Sequence, residues 1–457
     1  MSFLKIQPYH YNNKDFSNPS AVWQNKTGGT VMKKFALVLM VLVLAMGMVF
    51  AGGRKEKTDN GVTTIKWALW DYDQTVYYKP LIEAFEAANP NIKIEPLDLG
   101  STDYSTMLST QLTGGDSSID VVTIKDIPGY ATLVKAGQLL DLNDYIKANK
   151  IDLSVYSGGA EQVNVDGHQY ELPFRSDFRV VFYNKDLFDK AGVAYPSNDM
   201  TWDDYDALAR KMTSGSGANK VYGTHYHTWR SIVMCQSTLD GIHTAVTPPY
   251  DFMKPYYERV LKQQKDGICM DYAQLKTTST HYSGVFYNNS VAMMEMGSWF
   301  ISTLANQVKQ GKTDVKNWGL VKLPHNPGQP AGTTVGTITG IAVSAASKKK
   351  DAACKFATFL CSEEGAAILA KTGNYPGILN DNVANIIVNQ LEGFPTDANS
   401  KEALQTAQIF LEIAYSDKAP EIETVLNAGH DNIMTYNCTI DEGIAQMTKD
   451  VQAILNR

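Results

Sequence analysis

Residues 62–70 read VTTIKWALW, and after a short loop they are followed by YKPLIEAFEAANP at 78–90, IKIEPL at 92–97 and IDVVTI at 119–124. The first run is rich in β-branched and aromatic residues. The second places Leu81, Ile82, Phe85 and Ala88 at a helical period and is stopped by Asn89-Pro90. Ile92 to Leu97 reads as the next strand, Asp103 to Leu112 as a helix closed by Gly114-Gly115, Ile119 to Ile124 as a short strand, and Tyr130 to Lys135 as a helix ended by Gly137. Strand, helix, strand, helix, strand predicts an α/β protein with a mostly parallel sheet flanked by helices. In such a sheet ligands sit at the carboxyl ends of the strands. The loops Asp71-Tyr72-Asp73 and Lys125-Asp126-Ile127 follow two of those ends.

A second unit opens after Tyr170-Glu171-Leu172-Pro173. Val180 to Tyr183 reads as a strand and Lys185 to Ala191 as a short helix, and Thr201 is the N-cap of a helix beginning Trp202-Asp203-Asp204. Val285 to Met296 is a strand or turn leading into Gly297-Ser298-Trp299, and Gly332 to Gly340 is a Gly/Thr-rich stretch before Ile341-Ala342-Val343-Ser344. Asp351 to Leu360 is an amphipathic helix, and the last hundred or so residues read as helical. No repeat of 20–50 residues occurs.

The chain has 457 residues, enough for roughly two or three domains and a large core. Its 44% hydrophobic and 19% charged residues exclude disorder and fibrous structure. A net charge of −7 repels a phosphate backbone, so nucleic acid is excluded as a partner. The five cysteines (Cys235, Cys269, Cys354, Cys361, Cys438) are scattered without a C-x-x-C pair, which points to buried thiols rather than a zinc site or disulfide scaffold.

Met32-Lys33-Lys34, the apolar run Phe35 to Phe50, and the small residue Ala51 have the layout of a secretory signal. The expected arrangement is a non-native extension at 1–31, a signal peptide at 32–51, and an exported, periplasmic or extracellular protein. No cysteine lies between Met32 and Cys235 to carry a lipid anchor. The alternative is a membrane anchor, the run being just short of the ~18 apolar residues that a spanning helix needs.

His225-Tyr226-His227 has the spacing of two metal ligands on one strand face, but nothing in the sequence supplies a third. Asp203-Asp204 fits a helix start better than a pair of glycosidase carboxylates. No nucleophile elbow, phosphate loop or zinc-protease motif occurs, and Gly332 to Gly340 lacks a nucleotide fingerprint. No cofactor is expected. The 7 Trp, 24 Tyr and 16 Phe instead supply flat rings. Rings that cover C–H faces, beside carboxylates and amides that bind hydroxyls, suit a sugar or polyol. Trp70, Asp71, Tyr72, Asp126, Arg175, Asp177, His225, Tyr226, Trp229 and Trp299 meet that requirement.

The ordered set Tyr170-Glu171-Leu172-Pro173, Val180 to Phe188, Ala191-Gly192-Val193, Thr201-Trp202, Gly297-Ser298-Trp299, Leu323-Pro324 and Ser362-Glu363-Glu364-Gly365 resembles the solute-binding proteins of carbohydrate ABC importers, the maltose-binding-protein-like family. The resemblance covers nearly the whole mature chain. It implies a periplasmic-binding-protein fold of two α/β lobes, 60–174 plus 339–383 and 179–335 plus 384–457, with hinge crossings at Pro173 to Arg179 and Gly336 to Gly340. It also implies ligand-binding roles for Asp177, Asp126, Trp299, Trp70 and Asp71, with Thr337 in the second crossing and Tyr375 before Pro376-Gly377 as further candidates. The partners it implies are a sugar or oligosaccharide and the transmembrane subunits of an ABC permease, served by a monomer without enzymatic activity. Glu171 departs from the pattern, standing where glycine is common. Two alternatives stay open: a binder of a non-sugar such as a glycerol phosphate, anchored by Arg175, Arg179 and Arg230, and a secreted carbohydrate-active enzyme.

Overall fold

The computed structural model describes residues 61–457 apart from Ser101, Thr102, Asp116, Ser157 and Leu379; the expected extension and signal segment lie outside the described residues. Strands β1 (Thr63–Leu69), β2 (Ile92–Asp98) and β3 (Val121–Ile124) alternate with helices Tyr78–Ala88, Tyr104–Thr113 and Ile127–Lys135. β1 pairs parallel with β2 and β3, as the strand-helix alternation requires. Trp67 explains why this part packs as it does. Its indole is fully buried, donates to Thr123 Oγ1 at 2.9 Å, and meets Tyr78 and Phe356 edge-on at 5.2 and 5.1 Å.

The remaining strands are β4 (Glu171–Asn184), β5 (Tyr222–His225), β6 (Val291–Gly297), β7 (Trp318–Lys322), β8 (Thr333–Val343) and β9 (Gln408–Leu411). The expected short strand at Val180 is the second half of the much longer β4, and the Gly/Thr-rich stretch is itself part of β8. These two long strands organise the molecule. β4 pairs antiparallel with β8 over Glu171–Phe178 and then with β6 and β7 over Arg179–Asn184. β8 pairs with β9 near its start and with β3 near its end. Among these strands β1 pairs parallel with β2 and β3, β5 with β6, and β8 with β9, while the other pairs are antiparallel, so the sheet is mixed.

Close packing between β4 and β8 explains two glycines. A Cβ on Gly336 would lie 2.2 Å from the Asp177 carbonyl oxygen, and one on Gly340 would lie 2.1 Å from Glu171 Oε2. Elsewhere Thr201 caps helix Trp202–Met212 in a reciprocal box with Asp204, so that carboxylate serves the helix start. All five cysteines are free, and all but the half-buried Cys438 are buried. The C-terminal region is helical, with helices Ala419–Met434 and Ile440–Leu455 packed on each other, but it also contains the unanticipated β9.

Glu171 sits fully buried in β4, and neither of its carboxyl oxygens has a hydrogen-bond partner. Burial first, and the nearby Asp126 second, hold its pKa well above the ordinary carboxyl range. The folded protein therefore holds this proton to higher pH than the unfolded chain, which ionises the group at about pH 4.3. Stability is intact below that point and is lost as pH rises toward the folded pKa. Glu171→Gln, neutral at every pH, is expected to melt several degrees above the parent at pH 8, with the gap closing at pH 4. Thermal unfolding at the two pH values measures it.

Candidate ligand-binding site

The parallel pair β5 and β6 ends at one edge, and each carboxyl end delivers a tryptophan to it. Trp229 lies four residues beyond β5, and Trp299 opens the helix Trp299–Lys309 just after β6. Their ring centroids are 6.1 Å apart at 60°. Trp229 is 39% exposed, which leaves part of its indole free to meet a ligand. His227 braces Trp229 edge-on at 4.5 Å and Tyr282 at 5.3 Å. Burial, reinforced by His281 and Arg179, pushes the His227 pKa down to about 4, so this support is a neutral ring at physiological pH.

Gly297 sets the pose of Trp299. A Cβ there would fall 2.1 Å from the indole, so only glycine lets the ring lie over the end of β6. Gly297→Ala is expected to push the indole off this position and weaken ligand binding about tenfold (~1.4 kcal/mol), read by calorimetry with circular dichroism confirming the fold.

Beside the rings lie paired charges. Arg179, 1% exposed, donates from Nη2 to Ser231 Oγ at 2.7 Å and to Glu412, with Glu295 at 3.9 Å. Arg230, 4% exposed, donates from Nε to Glu423 Oε1 at 2.9 Å and from Nη2 to the other oxygen, a bidentate grip. Lys276 meets Asp431 at 3.1 Å nearer the surface. Nη1 of Arg179 and Nη1 of Arg230 have no hydrogen-bond partner. The two tryptophans and these three pairs line a cavity of about 410 Å³. A second cavity of about 240 Å³ shares Arg230, Glu412 and Glu423 with it and continues to Asp126 and Thr337. Asp126 caps helix Ile127–Lys135 by accepting from the Gly129 N–H at 2.7 Å, and burial raises its pKa.

A sequence model of bacterial extracellular solute-binding proteins matches residues 72–367. The chain belongs to that family. A sugar transporter from Rhizobium etli, crystallised in an open conformation, is 53% identical and superposes with a TM-score of 0.79 over 86% of this chain and 100% of its own. An ABC transporter extracellular-binding protein of Pyrococcus horikoshii is 31% identical over 161 residues, 35% of this chain and 36% of that one. The sn-glycerol-3-phosphate-binding periplasmic protein of Escherichia coli is 24% identical over 73% of this chain and 77% of its own. The architecture is accordingly the two-lobed binding-protein fold with a helical C-terminal region.

Within this solute-binding protein the structure gathers, besides the Arg179 and Arg230 of the anionic alternative, four of the sugar-site candidates. Trp229 and Trp299 line the first cavity, and Asp126 and Thr337 the second. The others line neither. Trp70 packs on Tyr104 at 4.9 Å under Lys125, and Tyr72 stacks on Tyr78. Asp71 is held in a tight turn at φ 51°, where its N–H and that of Tyr72 donate to the Asp98 carboxylate. Arg175 and Asp177 form an ion pair at 2.5 Å, with Arg175 also donating to Tyr77 Oη and Asp177 accepting from Ser298 Oγ. His225, Tyr226 and Tyr375 are buried. The His225 ring, with both nitrogens unpartnered, has its pKa pushed down to about 3 by burial and then by His227. Among the described residues no group of three His, Cys, Asp or Glu side chains could hold a metal ion.

Sequence reasoning missed the acids. Glu423 and Asp431, with Asn427 between them, recur every four residues on helix Ala419–Met434, beside the stripe of buried Ile422, Leu426 and Ile433. That polar stripe on an amphipathic helix was the available signal. Glu412 gave none, because it follows β9, a strand hidden in a region that reads as helical.

Proposed function

We propose that the protein captures a neutral sugar or oligosaccharide in the cleft formed by these cavities and delivers it to the transmembrane subunits of an ABC permease, without altering it chemically. The observation that carries this reading is the pair Trp229 and Trp299 set beside buried cations that each already hold a carboxylate. Rings cover the C–H faces of a pyranose, and the paired charges offer donors and acceptors to its hydroxyls. Arg179 with Glu412, Arg230 with Glu423 and Lys276 with Asp431 leave no surplus positive charge for a phosphate. That balance favours a neutral ligand over a glycerol phosphate. The same pairing argues against glycosidase chemistry, since the acids are engaged as ion-pair acceptors.

The lobes are taken as 60–174 plus 339–383 and 179–335 plus 384–457, joined by β4 and β8. On that division the second cavity draws Asp126 from one lobe and Arg230 and Glu423 from the other. A ligand touching both binds the closed form better and shifts an open–closed equilibrium by that difference in affinity. An exported monomer, periplasmic or extracellular, fits this role; among the described residues no helix is long and apolar enough to cross a membrane.

A thermal-shift screen across neutral sugars, polyols and phosphorylated compounds tests the reading. A ligand at 100 times its dissociation constant adds about 2.7 kcal/mol, so a neutral saccharide is expected to raise the melting temperature. A response to glycerol phosphates alone would overturn it, as would product release from glycans.

A further inference from the structure

The two cavities differ in chemistry. Away from its shared wall, the second is lined by Ile127, Pro128, Ile338, Leu411 and Ile413, with Asp126 and Thr337 as its own polar side chains. Asp126 already spends Oδ1 on the Gly129 N–H at 2.7 Å, and Ser105 Oγ lies 3.4 Å from Oδ2. The shared wall of Arg230, Glu412 and Glu423 also faces the first cavity, so its donors and acceptors serve the ring bound there. A second fully hydroxylated ring placed here would bury several hydroxyls with few partners, and each one left unpaired keeps its desolvation penalty. Apolar groups gain from burial in the same space.

We infer that the ligand is bipartite: a hydroxylated sugar ring lies on Trp229 and Trp299 in the first cavity, and a hydroxyl-poor moiety, either a deoxy sugar or an apolar aglycone, fills the second. This rests on the sugar reading above and narrows it to glycosides with one polar and one apolar end. Arg230 and Glu423 then stand at the junction, able to meet the bridging oxygen and its neighbours. A small apolar pocket with few polar groups discriminates by the hydroxyls it leaves unpaired as much as by the contacts it makes.

Calorimetry on the full secreted protein tests the inference with matched probes. These are the common hexoses and pentoses as free sugars, their methyl and 4-nitrophenyl glycosides in both anomers, and disaccharides that carry either rhamnose or glucose at the non-reducing end. At least one hydroxyl-poor probe is expected to bind tenfold or more tighter than its hydroxylated parent. The aryl and rhamnosyl arms distinguish an aglycone from a deoxy sugar. In Ile413→Asn, or in Ile338→Thr should the first not fold, that affinity ratio is expected to fall below threefold. Parents that bind as tightly as their hydroxyl-poor partners overturn the inference while leaving the sugar reading standing, as does a ratio that survives in a folded variant. If no saccharide of either kind binds, the sugar reading itself fails and this inference with it.

Discussion

Arg179→Ala is expected to destabilise the protein by about 3–5 kcal/mol, because it strands buried carboxylates that the guanidinium now neutralises. Arg179 lies on β4 just past its pairing with β8, and its side chain is 1% exposed. It donates to Glu412 and to Ser231 Oγ, and Glu295 lies 3.9 Å away. Glu295 is fully buried, and burial pushes its pKa up to about 7 even with the opposing pull of Arg179 and a 3.0 Å hydrogen bond from Gln236. A carboxyl raised in the folded state weakens stability as pH rises from its unfolded value through its folded one. In the parent that loss is largely complete near pH 7. Without Arg179 the folded pKa climbs further, so the deficit of the variant should widen between pH 6 and 8. Urea denaturation across that range measures both effects. A loss under about 1 kcal/mol, with no pH trend, would mean that the network relaxes around the missing cation.

The second large effect concerns the indoles. Trp229→Ala and Trp299→Ala are each expected to weaken sugar binding at least tenfold, with the fold intact by circular dichroism. Burying a large aromatic side chain against a ligand is worth about 1.5–3 kcal/mol, and tenfold is about 1.4 kcal/mol. The rings are 6.1 Å apart, so the double variant should depart from additivity. Trp70→Ala is the informative control. That ring packs against Tyr104 and borders neither cavity, so binding should change less than about twofold. A loss at Trp70 equal to that at Trp229 would move the site to the loop after β1.

Much of this arrangement is legible in the linear chain, and the reasons are local. Leu81, Ile82 and Phe85 repeat at a helical period, and the helix found there, Tyr78–Ala88, buries those three residues. Thr201 and Asp204 have capping chemistry within four residues of chain, and they form that cap. Trp299 stands out in the sequence by residue type and by the resemblance of Gly297-Ser298-Trp299 to the family pattern, and the structure adds a local steric reason for that glycine. Trp70 and Asp71 were equally attractive by residue type, and they follow a strand just as Trp299 does. What separates them is the neighbours they meet, Tyr104 and Asp98, which arrive from 34 and 27 positions along the chain and occupy them.

Residue order by itself determined the α/β class, the helix boundaries set by caps and prolines, and the supply of rings and acids suited to a sugar. These depend on periodicity and on contacts within a few residues. Only the tertiary structure decided that His225 and Tyr226 are buried, and that Glu412 and Glu423 face Arg179 and Arg230 from 233 and 193 positions away. A buried charge takes its partner from whatever the fold brings within a few ångströms. No short-range pattern along the chain encodes that choice.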